Sequence, residues 1–183
     1  MRRSDVVALY VDPRGPYPGL VHDWYDEARD ARNYDGPWPV VAHPPCGPWG
    51  RLKFLCTKQD PSAGPLAVGM VRTYGGVLEH PSNSTLFRVC AMPFPGELPD
   101  AFGGRTYAVS QSPWGHRCEK PTWIYVVRVP DAIVRAGILS GGVATHRVTN
   151  GPRGPQLPRV GALEARLSPP AFASWLVELA GTK

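Results

Sequence analysis

The chain has 183 residues, and 20 of them are glycine and 22 are proline, about twice the usual share of these two types. Proline breaks helix interiors and glycine weakens them, so this composition argues against a helix bundle. A disordered chain is also disfavoured, because 43% of the residues are hydrophobic and six are tryptophan. The formal net charge is +5, and its excess in the C-terminal third is compatible with contacts to phosphate or nucleic acid.

The length predicts a single domain over residues 1–183. No run of about 18 apolar residues is present, so we expect no membrane contact. The first residues contain no apolar signal core, which predicts a cytoplasmic protein. We expect the four cysteines to be reduced in that compartment.

Short apolar runs bounded by turn residues predict strands at 6–11, 39–42, 76–79, 107–110 and 122–129. Helices are predicted at 24–32, 61–74, 82–90, 131–136 and after Ser168. In the last helix, Phe172, Trp175, Leu176 and Leu179 follow helical spacing and are interpreted as core residues. Strands alternating with helices predict an α/β fold, a three-layer sandwich with a mostly parallel sheet. Residues 145–161 are predicted to form a long loop.

One segment presents a cysteine directly after a predicted strand. An apolar run enters Pro44-Pro45-Cys46, and Gly47 permits a tight turn behind it. Ligands bind at the carboxyl ends of strands in open α/β sheets. We therefore interpret Cys46 as a nucleophile on a stiff loop. A structural cysteine at a strand end is the alternative.

Two further segments place polar groups beside strands. Glu79 and His80 end a short apolar run, where a carboxylate can hydrogen-bond a ring nitrogen or deliver a proton. The alternative for this pair is a helix cap. His116, Arg117 and Lys120 precede the strand at 122–129 and suit a phosphate or a substrate carbonyl. The alternative for these three is ordinary surface charge.

Taken in order, Pro-Pro-Cys, Leu-Glu-His-Pro and Gly-His-Arg resemble the catalytic motifs of DNA cytosine-5 methyltransferases. The chain also looks like a group of short phage and prophage proteins that carry His-Pro-Pro-Cys-x-x-Trp-Gly and Leu-Glu-His-Pro. The resemblance covers roughly residues 38–129. It implies a truncated, Rossmann-like methyltransferase sheet in a phage-encoded protein that works in the cytoplasm of the host cell.

The resemblance also implies residue roles. Cys46 would attack position 6 of a pyrimidine, Glu79 would hold or protonate the ring nitrogen at position 3, and Arg117 would contact the base carbonyl or a phosphate. Position 5 would then accept a one-carbon unit. The substrate, DNA or a pyrimidine nucleotide, would be bound by His43, Pro45, Trp49, His80, His116 and Lys120. A base in a duplex would have to be flipped out.

The donor implied by the resemblance is S-adenosylmethionine, bound by Asp12, Gly15 and Gly19 after the first strand. The short interval from Gly19 to Cys46 leaves no room for two further strand–helix units. No target-recognition region follows the strand at 122–129. Three alternatives therefore stay open: another donor, a donor site completed in a homodimer, and a non-catalytic phage module that binds nucleic acid or a partner protein.

Two further groups of polar residues have alternative interpretations. Asp23, Asp26 and Asp30 are interpreted as a solvated acidic helix face, with contact to a ribose or an amine as the alternative. His43-x-x-Cys46 and His116-x-Cys118 contain four nitrogen and sulfur ligands, but their intervals match no standard zinc finger or ribbon. We therefore expect no metal site.

Overall fold

The computed structural model describes residues 4–50, 53–148 and 157–182. Within these ranges six strands form one sheet: β1 (Ser4–Leu9), β2 (Val21–Tyr25), β3 (Val40–Ala42), β4 (Gly76–Pro81), β5 (Arg105–Ser110) and β6 (Pro121–Val127). The helices in the same ranges are α1 (Tyr17–Leu20), α2 (Ala63–Tyr74), α3 (Thr85–Val89), α4 (Asp131–Gly137), α5 (Ala162–Arg166) and α6 (Pro170–Ala180). The predicted α/β class is confirmed. The part of the predicted 145–161 loop that covers residues 149–156 lies outside the described residues.

The sheet is mixed, with the strand order β2-β1-β3-β4-β6-β5. The pairs β1–β2, β1–β3 and β3–β4 are parallel, whereas β4–β6 and β5–β6 are antiparallel. The prediction of a mostly parallel sheet is therefore wrong. Only ten residues join β5 to β6, which is too short for a crossover helix and favours antiparallel pairing.

A helix predicted at 24–32 is also wrong, because the chain forms β2 and then a series of turns. The Asp26 carboxylate accepts hydrogen bonds from the backbone N–H groups of Ala28 and Arg29, at 3.1 and 2.9 Å. Asp30 has a φ of 51° and caps the next short turn. Aspartate side chains that bind nearby backbone groups compete with helix formation. Apolar periodicity alone did not reveal this competition.

The buried apolar residues form two clusters, and both contain residues of the sheet. Alternate residues of a strand face opposite sides of a sheet. In β1, Val6 and Ala8 belong to one cluster, while Val7 and Leu9 belong to the other. The first cluster contains residues of α6, and the second contains residues of α2 and α3. The predicted core residues of the last helix, Phe172, Trp175, Leu176 and Leu179, are all buried, as expected.

In the described part of the chain, no helix is long and apolar enough to cross a membrane.

Candidate functional site

The candidate site lies where the strand order reverses. From β1 the chain passes through α1 to β2 on one side, and it then enters β3 on the other side of β1. Ligand sites in open α/β sheets form at the carboxyl ends of the strands at such a position. The loop after β3 contains Cys46, and the neighbouring strand β4 contains Glu79. The structure therefore brings the predicted nucleophile and the predicted carboxylate to one edge of the sheet.

Cys46 is exposed on the loop after β3 and begins a short 3₁₀ turn, Gly47–Trp49. The Gln59 side chain accepts a hydrogen bond from the Gly47 backbone N–H at 3.0 Å and lies 3.5 Å from the Cys56 sulfur. These contacts fasten the loop directly behind the thiol. Desolvation raises the pKa of the Cys46 thiol, and the charge of Glu79 raises it further. The thiol must therefore lose a proton before it can react as a nucleophile.

Glu79 is buried and has two hydrogen-bond partners. Its Oε2 lies 2.9 Å from His43 Nδ1, and its Oε1 accepts a hydrogen bond from Gln111 Nε2 at 3.0 Å. Burial by itself would raise the pKa of Glu79. The hydrogen bond and charge of His43, together with the charge of Lys120, lower that pKa to about 2. Glu79 is therefore a carboxylate at neutral pH, ready to accept hydrogen bonds.

Sequence reasoning missed Tyr17, which belongs to the same network. Its hydroxyl lies 2.5 Å from His43 Nε2, so both ring nitrogens of His43 are occupied. Tyr17 is buried in the first apolar cluster, and burial raises the pKa of its hydroxyl well above the usual value. Gln111 was also missed; its Nε2 donates to Thr122 Oγ1 at 3.0 Å as well as to Glu79. No local pattern separates these two residues from ordinary core and loop residues.

Three predicted substrate-binding residues lie around the Cys46 loop. His80 is 1% exposed, and its ring lies beside the backbone of Pro45. Burial lowers the pKa of His80 to about 4, so its ring is neutral at pH 7. Trp49 packs against the second apolar cluster, and its carbonyl accepts a hydrogen bond from Thr85. Pro45 lines a small cavity at the carboxyl ends of β1 and β2.

His116 and Arg117 are held elsewhere, by α5. The Arg117 guanidinium donates to the Glu164 carboxylate, with Nε at 2.7 Å from Oε1, and also lies 2.9 Å from His146 Nε2. The buried His116 ring accepts the Cys118 backbone N–H at 2.9 Å. In the described part of the chain, neither residue hydrogen-bonds to Cys46 or Glu79. The structure therefore does not bring Arg117 into the network around Glu79.

Lys120 lies close enough to the candidate site for its charge to act on Glu79. Its Nζ donates to the Leu167 carbonyl at 2.8 Å and to the Arg166 carbonyl at 3.3 Å. Burial lowers the pKa of Lys120, while the nearby charge of Glu79 opposes that effect. The positive charge of the ammonium group thus offsets the negative charge of the Glu79 carboxylate, and among the described residues two acceptors leave its third N–H for a further one.

The predicted donor loop closes on itself. The Asp12 carboxylate pairs with the Arg14 guanidinium at 2.6 Å, and the hydrogen bonds from Arg14 lower the pKa of Asp12 to about 2. The Gly15 backbone N–H donates to the Asp12 carbonyl at 2.9 Å, and the Gly19 N–H to the Pro16 carbonyl at 3.2 Å. These groups bind each other, so the loop presents fewer free groups to a ligand than the sequence suggests.

A cavity of about 140 Å³ lies at the carboxyl ends of β1 and β2, and none of its lining residues belongs to this loop. Its lining residues are Tyr10, Asp26, Glu27, Asp30, Ala31, Arg32, Pro45, Asp60 and Ala63. Its volume is below the range of about 300–1,000 Å³ that is typical of small-molecule pockets. In this conformation the cavity is therefore too small for a nucleoside-sized donor.

Comparisons with known proteins identify no relative. A scan against protein-family models, a search of curated proteins and a search of solved structures each find no match for this chain. Among the residues that the structure describes, no group of three or more His, Cys, Asp or Glu is arranged to hold a metal ion.

Proposed function

We propose that this chain modifies a pyrimidine base at position 5, with Cys46 as the nucleophile and Glu79 as the residue that holds the ring. One observation supports this proposal above the others. Cys46, an exposed residue in the loop after β3, and Glu79, an ionised and fully oriented carboxylate in β4, lie at one edge of the sheet, where the parallel strands β3 and β4 are neighbours. A thiol can supply the nucleophile that adds to a pyrimidine ring, and a carboxylate can hydrogen-bond the ring edge.

The proposed reaction begins when the thiol of Cys46, an exposed residue, loses its proton to solvent. The thiolate adds to position 6, and the electrons of the ring double bond move to position 5. Position 5 then attacks the carbon of a one-carbon electrophile, and the group that carried this carbon departs with the electrons of the broken bond. Loss of the position-5 proton to solvent and departure of the thiolate restore the double bond. Glu79 accepts a hydrogen bond from the ring edge, and Lys120 offers its remaining N–H to a carbonyl or phosphate oxygen.

The proposed function includes a more specific assignment of the fold. With α6 on one apolar cluster and α2 and α3 on the other, we interpret the sheet as a truncated, three-layer, Rossmann-like methyltransferase sheet. The substrate would be DNA or a pyrimidine nucleotide in the cytoplasm of a phage host. Arg117 is proposed as a phosphate contact only if it leaves Glu164.

The experiment that tests the nucleophile is trapping with 5-fluorocytosine and 5-fluorouracil, each presented as the nucleotide and within DNA. The S–H bond adds across the ring double bond, with sulfur going to position 6 and hydrogen to position 5. We expect intact-protein mass spectrometry to show a covalent adduct on Cys46. Cys46→Ala removes the adduct, whereas Cys90→Ala, which changes a cysteine outside the site, retains it. No adduct with any of these substrates would contradict the proposal.

The self-closed donor loop and the small cavity favour three alternatives to methylation from S-adenosylmethionine by a single chain. These two features suit a donor other than S-adenosylmethionine, a donor site completed by a second subunit, or a non-catalytic module that binds nucleic acid or a partner protein. Calorimetry with S-adenosylmethionine separates them. Binding in the micromolar range supports methylation. If no heat is released, the adduct experiment distinguishes another donor, which retains the adduct, from the binding module, which lacks it.

A further inference from the structure

Tyr17 contacts the candidate site from the interior of the protein. It lies at the start of α1 and is 4% exposed. Its hydroxyl is 2.5 Å from His43 Nε2, and the two rings have a centroid separation of 5.0 Å. His43 Nδ1 in turn lies 2.9 Å from Glu79 Oε2. A buried phenol, an imidazole and a carboxylate therefore form one continuous hydrogen-bonded chain.

The direction of the hydrogen bonds in this chain follows from its far end. The Thr122 hydroxyl donates to the Lys120 carbonyl at 3.0 Å, so Thr122 Oγ1 accepts a hydrogen bond from Gln111 Nε2. The same amide nitrogen donates to Glu79 Oε1. Glu79 is thus an acceptor at Oε1, and the positive charge of Lys120 favours its ionised form.

An ionised Glu79 requires a donor at its other oxygen. His43 Nδ1 must therefore carry a hydrogen, and in the neutral ring Nε2 is then an acceptor. The only group that the structure places on Nε2 within the described residues is the Tyr17 hydroxyl, which donates to a neutral ring and accepts from a protonated one. The hydroxyl and the carboxylate thus fix the ring of His43 from both sides, as in catalytic triads where one residue orients another.

We propose that Tyr17 is a positioning residue: its hydroxyl hydrogen-bonds His43 Nε2 and so holds the His43 Nδ1–H group on the Glu79 carboxylate. Tyr17 follows the loop after β1, His43 follows β3 and Glu79 belongs to β4. The hydrogen-bonded series of Tyr17, His43 and Glu79 therefore joins three strand ends on both sides of the point where the strand order reverses. Its consequence for catalysis rests on the proposed function, because a misaligned Glu79 would hold the pyrimidine ring poorly against Cys46.

The test uses Tyr17→Phe in the full chain, with Tyr107→Phe as the matched control. Tyr107 is another buried tyrosine of the same apolar cluster, and its hydroxyl donates instead to Asp131 at 2.5 Å. Two quantities are measured in each protein. The first is the NMR signal of the His43 Nδ1–H proton and of both ring nitrogens, assigned with His43→Gln. The second is the rate of adduct formation at Cys46 with a 5-fluoropyrimidine nucleotide.

We expect the wild-type protein to show a protonated Nδ1 with a slowly exchanging Nδ1–H signal. In Tyr17→Phe this signal broadens or disappears, and the adduct rate falls about tenfold, as expected for one lost hydrogen bond. Tyr107→Phe leaves both readouts unchanged.

Two results would overturn the proposal: a wild-type ring protonated at Nε2 instead of Nδ1, or Tyr17→Phe values that match Tyr107→Phe in both signal and rate. The NMR measurement needs no substrate. If wild-type protein forms no adduct, the proposed function fails, while the role of Tyr17 in orienting His43 is still decided by the ring signals.

Discussion

Glu79 shows how neighbouring side chains set the chemistry of a residue. The sequence places a glutamate at a strand end, and this position alone allows a proton donor, a hydrogen-bond acceptor or a helix cap. The structure adds His43 and Gln111, which donate to its two oxygens, and Lys120, whose charge acts on it. These three partners favour an acceptor, because donors and positive charge stabilise the ionised carboxylate.

The lowered pKa of Glu79 makes a prediction about stability in acid. Its folded pKa of about 2 lies below the ordinary value of 4.5. The resulting stabilisation is therefore complete above pH 4.5 and is lost as the pH falls towards 2. We expect the Glu79 contribution to the free energy of unfolding to fall by about 3 kcal/mol over this window. Urea denaturation of wild-type protein and Glu79→Gln, measured at pH values from 7 to 2, checks it.

The variant should show a flatter dependence on pH below 4.5, with lower stability at pH 7. Glu119→Gln is the control, because Glu119 is exposed and its change should leave the profile as it is in the wild type. His80 affects stability at higher pH. Burial lowers its pKa from 6.5 to about 4, so its contribution to the free energy of unfolding falls as the pH drops from 6.5 to 4. An unchanged slope below pH 4 in Glu79→Gln would contradict the assignment.

Among the strands, β3 and β4 form the element pair that carries the candidate site, and their spacing depends on one glycine. Gly76 begins β4 with a φ of +113°, a conformation that side chains rarely adopt. A Cβ atom there would lie 2.0 Å from the Val40 carbonyl oxygen. This atom belongs to the backbone of β3, so it cannot move aside as a flexible side chain can. The close approach of β3 and β4 therefore requires glycine.

We predict that Gly76→Ala lowers the free energy of unfolding by about 3 kcal/mol or more, because it combines a clash with backbone strain. Gly69→Ala is the matched control. Gly69 lies within α2, and a Cβ there would meet nothing within 4 Å. That change should stabilise the protein by about 0.5–1 kcal/mol. Thermal and urea denaturation of both variants measure the difference. Equal stabilities would show that β3 and β4 do not need the close approach.

Prediction from sequence succeeded best for strands and helices in which burial determines the spacing of the apolar residues. The runs at 39–42 and 76–79 form β3 and β4, and the spacing of Trp175 and its neighbours identified α6. It failed at 24–32, where local hydrogen bonds of Asp26 and Asp30 override the helical pattern. Such competition depends on individual side-chain contacts, which periodicity does not record.

At the scale of the whole molecule, strand order was the information that the sequence lacked. Cys46 and Glu79 were recognised because each ends an apolar run, and the parallel pairing of β3 and β4 brings the two strand ends together. Tyr17 and Gln111 reach the same network from α1 and from the β5–β6 connection. Their contacts depend on how distant segments pack, which no local motif encodes.

The same arrangement explains why Arg117 and Asp12 do not join the network. Arg117 is paired with Glu164 of α5, and Asp12 is paired with Arg14 in its own loop. Both partners were visible in the sequence as charged residues, but only the fold shows which opposite charges meet. The apolar clusters on the two sides of the sheet fix these positions, because they set where each loop leaves the core.

The central claim, that Cys46 adds to position 6 of a pyrimidine, is tested most directly by hydrogen exchange at position 5. In D₂O, addition of the Cys46 thiolate lets position 5 take up a deuteron, and loss of the original proton and of the thiolate returns a labelled base. No donor is needed, so the measurement is independent of the donor site. We predict loss of the position-5 proton signal with a pyrimidine nucleotide or DNA, and none with Cys46→Ala. Retention of that proton in every substrate by the folded wild-type protein would contradict the account.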